Sequence, residues 1–513
     1  MDSKRFITRR DFLKIASLAP LSYMVAPLIQ PAREKPEEGL PNIIILVFDA
    51  WSAENVSLYG YPRMTMPNLE AFAQHANIYH NHYSAAGYTT PGTASLLTGL
   101  YPWTHRAFSL GSGILKEYKH KNLFSLLAEK YSTLGYSQNK YADLLLSQFS
   151  AHVDTHTPRG VFNYENRDFY TSFFSNDSQI AFSSFDDNIL QDKYGDDASL
   201  FLGPLLRTLH LYRRQVIRDT YRLGYPYGLP ETNGREYFSL RNVVDGAIGL
   251  LQGLQSPAFA YLHFYPPHDP YRGTKKFKNS FLGKDAWEPA EKPIHSLFPG
   301  EAKYDEILAL RHRYDDFLAS WDDQIARMFV FMRESGLLEN SYIIVTSDHG
   351  EMFERGIVGH LTPLFFEPLI HIPLIISCPG QLEREDIYDY TSAVDILPTL
   401  AMLAGLPIPD WVEGVPLPKL GGDGGEKRSI YAIDAKNNSS FTQISKGSIS
   451  MTKEPYRLTY YNYPGSQQFE FYNLNDDPEE LNNLYPSQPY EAIQMKDELL
   501  QRLAEADQHF KRE

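Results

Sequence analysis

The sequence predicts an α/β protein: one large, mostly parallel sheet between layers of helices, then a small antiparallel sheet and a closing helix. Three observations carry this. Ile43–Phe48 (IIILVF), Ala258–Phe264, Tyr342–Thr346 and Pro373–Ser377 are short continuous apolar runs, as parallel strands buried on both faces should be. Stretches of helical periodicity alternate with them, namely Asn68–Ala76, Thr93–Gly99, Tyr304–Glu334 and Val394–Ala404. From about residue 425 the pattern changes to short Tyr- and Ser-rich runs with polar turns, including Gln467–Asn473, before a helix over Pro489–Phe510.

A chain of 513 residues that is 43% hydrophobic can bury a large core and carry a smaller unit beside it. Residues 1–31 read as a leader: Arg9-Arg10 precedes an apolar stretch from Ile15 to Leu28, as in a twin-arginine export signal. The expected location is therefore extracytoplasmic, the alternative being an uncleaved membrane anchor. Pro20 and Pro27 interrupt the stretch, and it is short against the ~20 residues of a comfortable span. Residues 32–40 form a solvated linker, 41–424 the main domain with an insertion over 151–250, and 425–513 a C-terminal subdomain. The insertion is rich in Asp, Ser and aromatics and contains a basic amphipathic stretch from Leu205 to Leu223. A net charge of −15 argues against a nucleic-acid partner. The single cysteine, Cys378, excludes a disulfide framework and a paired-thiolate zinc site, and its position after an apolar run reads as a buried strand end.

In doubly wound sheets, chemistry sits just beyond the carboxyl ends of the strands. Asp49 follows the IIILVF run directly. Asp348 and His349 follow YIIVT, and His263 and His268 lie at and after AFAYLHF. Asp49, Asp348 and His349 form a carboxylate–imidazole set suited to one hard or borderline dication: zinc, manganese, magnesium or calcium. A hydroxyl bound to the same ion would be acidified and aimed. The segment Gly87–Pro102 supplies Thr89 and Thr90 ahead of a helix expected to start near Thr93. Its N-terminus is either a seat for a transferring anion or simply capped by those threonines.

This segment resembles the nucleophile motif of sulfatases, Cys-x-Pro-x-Arg followed by Leu-Leu-Thr-Gly-x-Tyr-Pro. Here it reads Thr89-x-Pro91-x-Thr93 with the tail intact. The resemblance continues through Pro41–Asp49, Tyr59-Gly60-Tyr61-Pro62, Pro67-Asn68-Leu69, Pro267-His268-Asp269-Pro270-Tyr271, Ser347–Glu351, Gly359-His360 and Asp395–Leu400. It closes on Phe471-Tyr472-Asn473-Leu474 and Asp477–Leu484. It implies an alkaline-phosphatase-like sandwich, an anionic ester substrate and one divalent metal. Carried onto this chain, Asp49, Thr89, Asp348 and His349 hold the metal, and Thr89, His268 and His360 are catalytic. His263 is assigned to substrate binding, strand alternation deciding whether it faces the site.

Three positions depart from the family pattern. Threonine at 89 cannot become the formylglycine that sulfatases use, Thr93 replaces the arginine, and Ala50 replaces a second aspartate. The remaining set resembles the one-metal site of threonine-using phosphoryl and phosphoethanolamine transferases in the same superfamily. The expectation is a hydrolase or transferase of sulfuric or phosphoric esters acting through Thr89. The alternatives are a true sulfatase using unmodified threonine, and a catalytically inactive, sulfatase-shaped binding protein.

Overall fold

The computed structural model describes residues 39–164, 202–233, 236–283, 287–424 and 427–510. The Arg9-Arg10 segment, the apolar stretch after it and nearly all of the linker lie outside the described residues, as does the middle of the 151–250 region. Among the described residues no helix is long and apolar enough to cross a membrane.

Ten strands follow one another through the main domain: β1 Asn42–Asp49, β2 Asn77–Tyr83, β3 Ser132–Ser137, β4 Thr155–Thr157, β5 Ala258–Pro267, β6 Ser341–Thr346, β7 Met352–Glu354, β8 Ile357–Gly359, β9 Leu374–Ser377 and β10 Glu385–Ser392. Eight of them form one sheet in the order β10-β2-β9-β6-β1-β5-β3-β4, and β7 and β8 pair as a separate hairpin. Every pairing in the large sheet is parallel except those of β9, which runs against both β2 and β6. The run Pro373–Ser377 is thus buried as expected but not parallel. A parallel return needs a long crossover, usually a helix. Between β6 and β9 the chain makes only the β7–β8 hairpin and the short Glu367–Ile370 helix, so it re-enters the sheet from the edge it left.

Residue parity sorts the two sheet faces. Ile44, Leu46 and Phe48 of β1 pack on one side with Ala260, Leu262 and Phe264 of β5, beneath the Pro67–Ala73, Leu240–Gln252 and Tyr304–Glu334 helices. Ile43, Ile45 and Val47 pack on the other with Phe259 and Tyr261, beneath the Thr89–Thr98, Leu123–Leu127, Lys140–Gln148 and Ile396–Leu403 helices. Val47 pairs with both His263 and Thr346, and Ser137 pairs with His263, so β3 and β6 end level with His263, and β1 ends two residues beyond that level. Side chains of one parity in β1 and β5 therefore face the Thr89 helix, and Asp49 and His263 share that parity.

Three further expectations change in detail. The 151–250 region is not all insertion: Thr155–Thr157 is the sheet's edge strand, and the Leu240–Gln252 helix covers a core face. Cys378 is half-buried rather than buried. The helix expected near Thr93 begins at Thr89. The first four N–H groups of a helix have no intrahelical acceptor, so Pro91 fits in the first turn without losing a bond.

Beyond the main sheet, β11 Ile430–Asp434, β12 Gly447–Lys453, β13 Tyr456–Tyr463 and β14 Ser466–Asn473 form an antiparallel meander. The Tyr490–Asp507 helix packs on it through Ala492, Met495 and Leu499. Arg106, fully buried, reaches Asp507 at 2.5 Å and ties this helix back to the loop after the Thr89 helix.

His105 locks that loop. The Ala107 N–H donates to its Nδ1 at 3.1 Å, which leaves the ring proton on Nε2, 3.0 Å from Ser95 Oγ. A second ring proton would face the Ala107 N–H, and burial holds the imidazole down at about 3 against an ordinary 6.5. Between those values the unfolded chain takes up a proton that the folded chain refuses, so stability falls as pH drops through that window. Denaturant midpoints measured from pH 7 down to pH 4 should decline, and His105→Gln should flatten the decline. Parallel curves for the two proteins would refute this origin.

Candidate active site

Asp49 closes β1, Asp348 and His349 follow β6, and His263 stands in β5 between its last apolar residues. All four are completely buried. His349 Nε2 lies 3.5 Å from Asp49 Oδ1 and 3.7 Å from Asp348 Oδ2. His263 Nε2 lies 3.5 Å from Asp49 Oδ2 and 3.8 Å from Asp348 Oδ2. The structure thus brings Asp49, Asp348 and His349 together as expected. It places His263 beneath them rather than on the wall of the substrate cleft.

Two buried carboxylates this close repel each other. Burial and the neighbouring charge of Asp49 push the Asp348 carboxyl up. Burial acts in the same direction on Asp49, but the imidazoles of His268, His263 and His349 outweigh it and hold that carboxyl below its ordinary range. Asp49 Oδ1, Asp348 Oδ2 and His263 Nε2 are buried without a hydrogen-bond partner among the described residues. Buried polar atoms are seldom left so, and Asp49, His263 and Asp348 each place a ligand atom within 4.8 Å of the other two, a set that fits a divalent cation.

Thr89 is the first residue of its helix, which Tyr88 precedes without any side-chain cap. The threonines are therefore not caps. Thr89 Oγ1 lies 3.4 Å from His349 Nε2 and accepts a hydrogen bond from Asn139 Nδ2 at 3.2 Å. Thr90 Oγ1 turns away and accepts from the Gly111 N–H at 3.2 Å. Close docking sets this position. Ser84 Oγ donates to the Asp348 carbonyl at 2.5 Å, and Gly92 packs so near that a β-carbon there would stand 2.3 Å from the same oxygen.

Asn139, which the sequence reading passed over, also belongs to the site. It lies two residues past β3 and caps the Lys140–Gln148 helix, its Oδ1 accepting from the Tyr141 N–H at 2.8 Å. That bond fixes the amide, so Nδ2 faces inward and reaches Asp49 Oδ2 at 2.5 Å as well as Thr89. Its sequence signal was an asparagine just beyond a strand, identical to that of an ordinary helix cap.

His268 and His360 stand at the mouth. Their ring centroids are 4.7 Å apart, and that of His360 is 4.4 Å from His349. His268 Nδ1 is 2.8 Å from both the Asp269 carboxylate and its carbonyl, which leaves Nε2 free of that anchor. Burial opposes its charge, but Asp49, Asp269 and Glu351 prevail and lift the imidazole to about 10. A cation at Asp49 would cancel part of that lift. His360, 2.9 Å from Glu351 Oε1, is held at about 3 by burial and by its neighbour His268. A cleft of about 840 Å³ opens over the site, with Thr89, Tyr141, Tyr227, His268, Arg272 and His360 in its lining.

A family model described as Sulfatase matches residues 41–406. The chain belongs to the sulfatase family. A second model, N-sulphoglucosamine sulphohydrolase, C-terminal, matches residues 362–509 of this family member. An arylsulfatase of Clostridium perfringens is 24% identical over 483 residues, covering 88% of this chain and 91% of its own. An N-acetylglucosamine-6-O-sulfatase of Bacteroides thetaiotaomicron is 22% identical over 551 residues, covering 96% and 91%. A phosphonate monoester hydrolase of Agrobacterium radiobacter shares the fold with a TM-score of 0.65 at 19% identity, over 91% of this chain and 96% of that one. Membership makes the protein a sulfatase-family hydrolase with a place for a divalent ion.

Since Gly92 admits no β-carbon beside the Asp348 carbonyl, Gly92→Ala should push the Thr89 helix off the Asp348 segment. Overpacking of this kind costs about 1–3 kcal/mol. The variant should lose stability by that order and lose activity more severely than the stability change explains. Wild-type turnover in Gly92→Ala would show that the docking is not needed.

Proposed function

We propose that this protein is a metal-dependent hydrolase or transferase of phosphoric or sulfuric esters, with Thr89 Oγ1 as nucleophile and phosphoryl transfer favoured. The observation that carries the reading is the position of Thr89 Oγ1, at a helix N-terminus, 3.4 Å from His349 Nε2 and 3.2 Å from Asn139 Nδ2. A divalent ion held by Asp49, Asp348, His349 and Thr89 would acidify that hydroxyl and draw charge from the transferring group. The buried, unpartnered oxygens of Asp49 and Asp348 speak against an inactive scaffold, which has no use for convergent ligand atoms.

In the first step Thr89 Oγ1, its proton lost to solvent, attacks the phosphorus or sulfur. The new Oγ1 bond forms as the ester bond to the leaving oxygen breaks, and that oxygen takes a proton from His268 Nε2. Asn139 Nδ2 and His360 line the anion's seat and share its charge. In the second step water or another acceptor attacks the same central atom and gives its proton back to His268, while the bond to Thr89 Oγ1 breaks and Oγ1 takes a proton from solvent to leave as the alcohol.

The second step favours phosphorus. A formylglycine hydrate can expel its sulfate through its second hydroxyl, whereas a threonine ester has no such exit and must be opened by attack at the central atom. The sulfatase activities for which the arylsulfatase and the N-acetylglucosamine-6-O-sulfatase are named support the second reading, a sulfatase working through threonine itself. The phosphonate monoester hydrolase of like fold supports phosphorus chemistry on this frame.

Paired aryl phosphate, aryl phosphodiester and aryl sulfate substrates, assayed under a panel of metals, should decide between these, with the phosphorus esters turned over faster. Thr89→Ala should fall to background, and Thr90→Ala should keep most of its activity. Rapid quenching and peptide mass analysis should place the covalent adduct on Thr89. An adduct on Thr90, or an active Thr89→Ala, overturns the assignment.

His268→Ala offers an independent check. It should lose ~10²–10⁴-fold with alkyl esters, whose leaving oxygen needs a proton, and far less with nitrophenyl esters. An equal loss with both would remove His268 from proton transfer.

A further inference from the structure

We infer that His263 is an additional metal ligand, replacing the carboxylate missing at Ala50, and that it turns the centre towards a borderline transition-metal dication such as zinc. The inference rests on the metal-dependent reading above and deepens it.

Its ground is geometric. Val47 pairs with His263 in one direction and Thr346 in the other, so the histidine stands level with the strand ends that carry Asp49 and Asp348. Its parity puts the ring on the face of the Thr89 helix. His263 Nε2 lies 3.5 Å from Asp49 Oδ2 and 3.8 Å from Asp348 Oδ2, and His349 Nε2 lies 3.5 Å from the other Asp49 oxygen and 3.7 Å from Asp348 Oδ2. Asp49, His263 and Asp348 each place a ligand atom within 4.8 Å of the other two. The imidazole–carboxylate separations all exceed the ~2.7–3.2 Å of a hydrogen bond. They are near the ~3.4 Å edge of a tetrahedron whose metal–ligand bonds are ~2.1 Å. The rings stand off from the carboxylates by the distance at which ligands share an ion.

The far side of the ring supports the same role. His263 Nδ1 is 3.0 Å from the Tyr261 hydroxyl, and Thr93 lies next to that hydroxyl. With Nδ1–H donating to Tyr261, the lone pair is on Nε2, which has no hydrogen-bond partner among the described residues. His349 is oriented in the same way, its Nδ1 donating to the Gly350 carbonyl at 2.9 Å. Metal-bound histidines are commonly fixed through the other ring nitrogen in this manner. Threonine at 93 also leaves the neighbourhood of that hydroxyl neutral, where an arginine would set a second cation close to the ion.

Two imidazoles and two carboxylates form a softer set than an all-oxygen cage. Imidazole nitrogen suits zinc and its transition-metal neighbours, whereas calcium and magnesium prefer oxygen ligands. The chain should therefore bind zinc in strong preference to calcium or magnesium.

The test uses metal binding, not turnover. The full chain, stripped by chelation, is titrated with zinc, calcium and magnesium, and the zinc form is measured by X-ray absorption. Expected are one zinc per chain, two imidazoles in the scattering shell, and calcium and magnesium at least 100-fold weaker. His263→Ala should lose one imidazole from the shell and most of the zinc affinity. Tyr261→Phe should keep both imidazoles but bind 10–100-fold more weakly, since it removes only the orienting partner. One imidazole in the wild-type shell, or calcium bound as tightly as zinc, overturns the inference while leaving the hydrolase reading intact. Failure of the wild-type chain to bind any of these metals would overturn that reading too. If His263→Ala does not fold, the wild-type shell and Tyr261→Phe still decide.

Discussion

Burial of Asp49 and Asp348 side by side is the constraint to which the rest of the site answers. Two carboxylates taken out of water at adjacent strand ends are costly unless positive charge accompanies them. Every neighbouring element brings a group that supplies or positions such charge. Strand β5 contributes His263 and leads into His268, the segment after β6 contributes His349, and the β7–β8 hairpin leads into His360. Much of the surrounding architecture holds these groups at fixed separations while keeping water out.

The docking of the Thr89 helix follows from the same demand. On the proposed reading Thr89 must meet the carboxylate pair without filling the space between them. Contact is made through the backbone instead: Ser84 and Gly92 both press on the Asp348 carbonyl, which seats the helix against the segment that carries Asp348 and His349. Asn139 then joins β1, the Thr89 helix and the Lys140–Gln148 helix through a single amide whose orientation the helix cap enforces. Behind the helix, His105 bridges Ser95 and Ala107 only while neutral, which couples the rigidity of this region to pH.

The departures from the family's motif form a coherent set in three dimensions. Ala50 removes one carboxylate, and the space around the pair is served by an imidazole from β5. Thr93 removes a cation, and the Tyr261 hydroxyl that it adjoins holds that imidazole. On the proposed reading a threonine nucleophile, a neutral residue at 93 and a nitrogen-richer centre belong together as one electrostatic solution.

The sequence alone determined the fold class, four of the eight strands of the main sheet, and the strand-end positions of Asp49, Asp348 and His349, because buried apolar strands and the turns after them leave local marks, whereas Asn77–Tyr83, Ser132–Ser137, Thr155–Thr157 and Glu385–Ser392 carry no such continuous apolar run. The Tyr304–Glu334 helix was legible to the residue from its periodicity. It could not set the direction of β9, since an apolar run reads the same either way and only the missing crossover decides. It misplaced the start of the Thr89 helix, because Pro91 looks like a barrier unless it falls in the first turn. It gave Asn139 no distinction from any helix cap, and it left His263 unresolved. Those two depend on register between strands more than a hundred residues apart, which periodicity within one strand does not encode. Only pairing Val47 with His263 and Thr346 brought the imidazole under the carboxylates, and that is a property of the sheet.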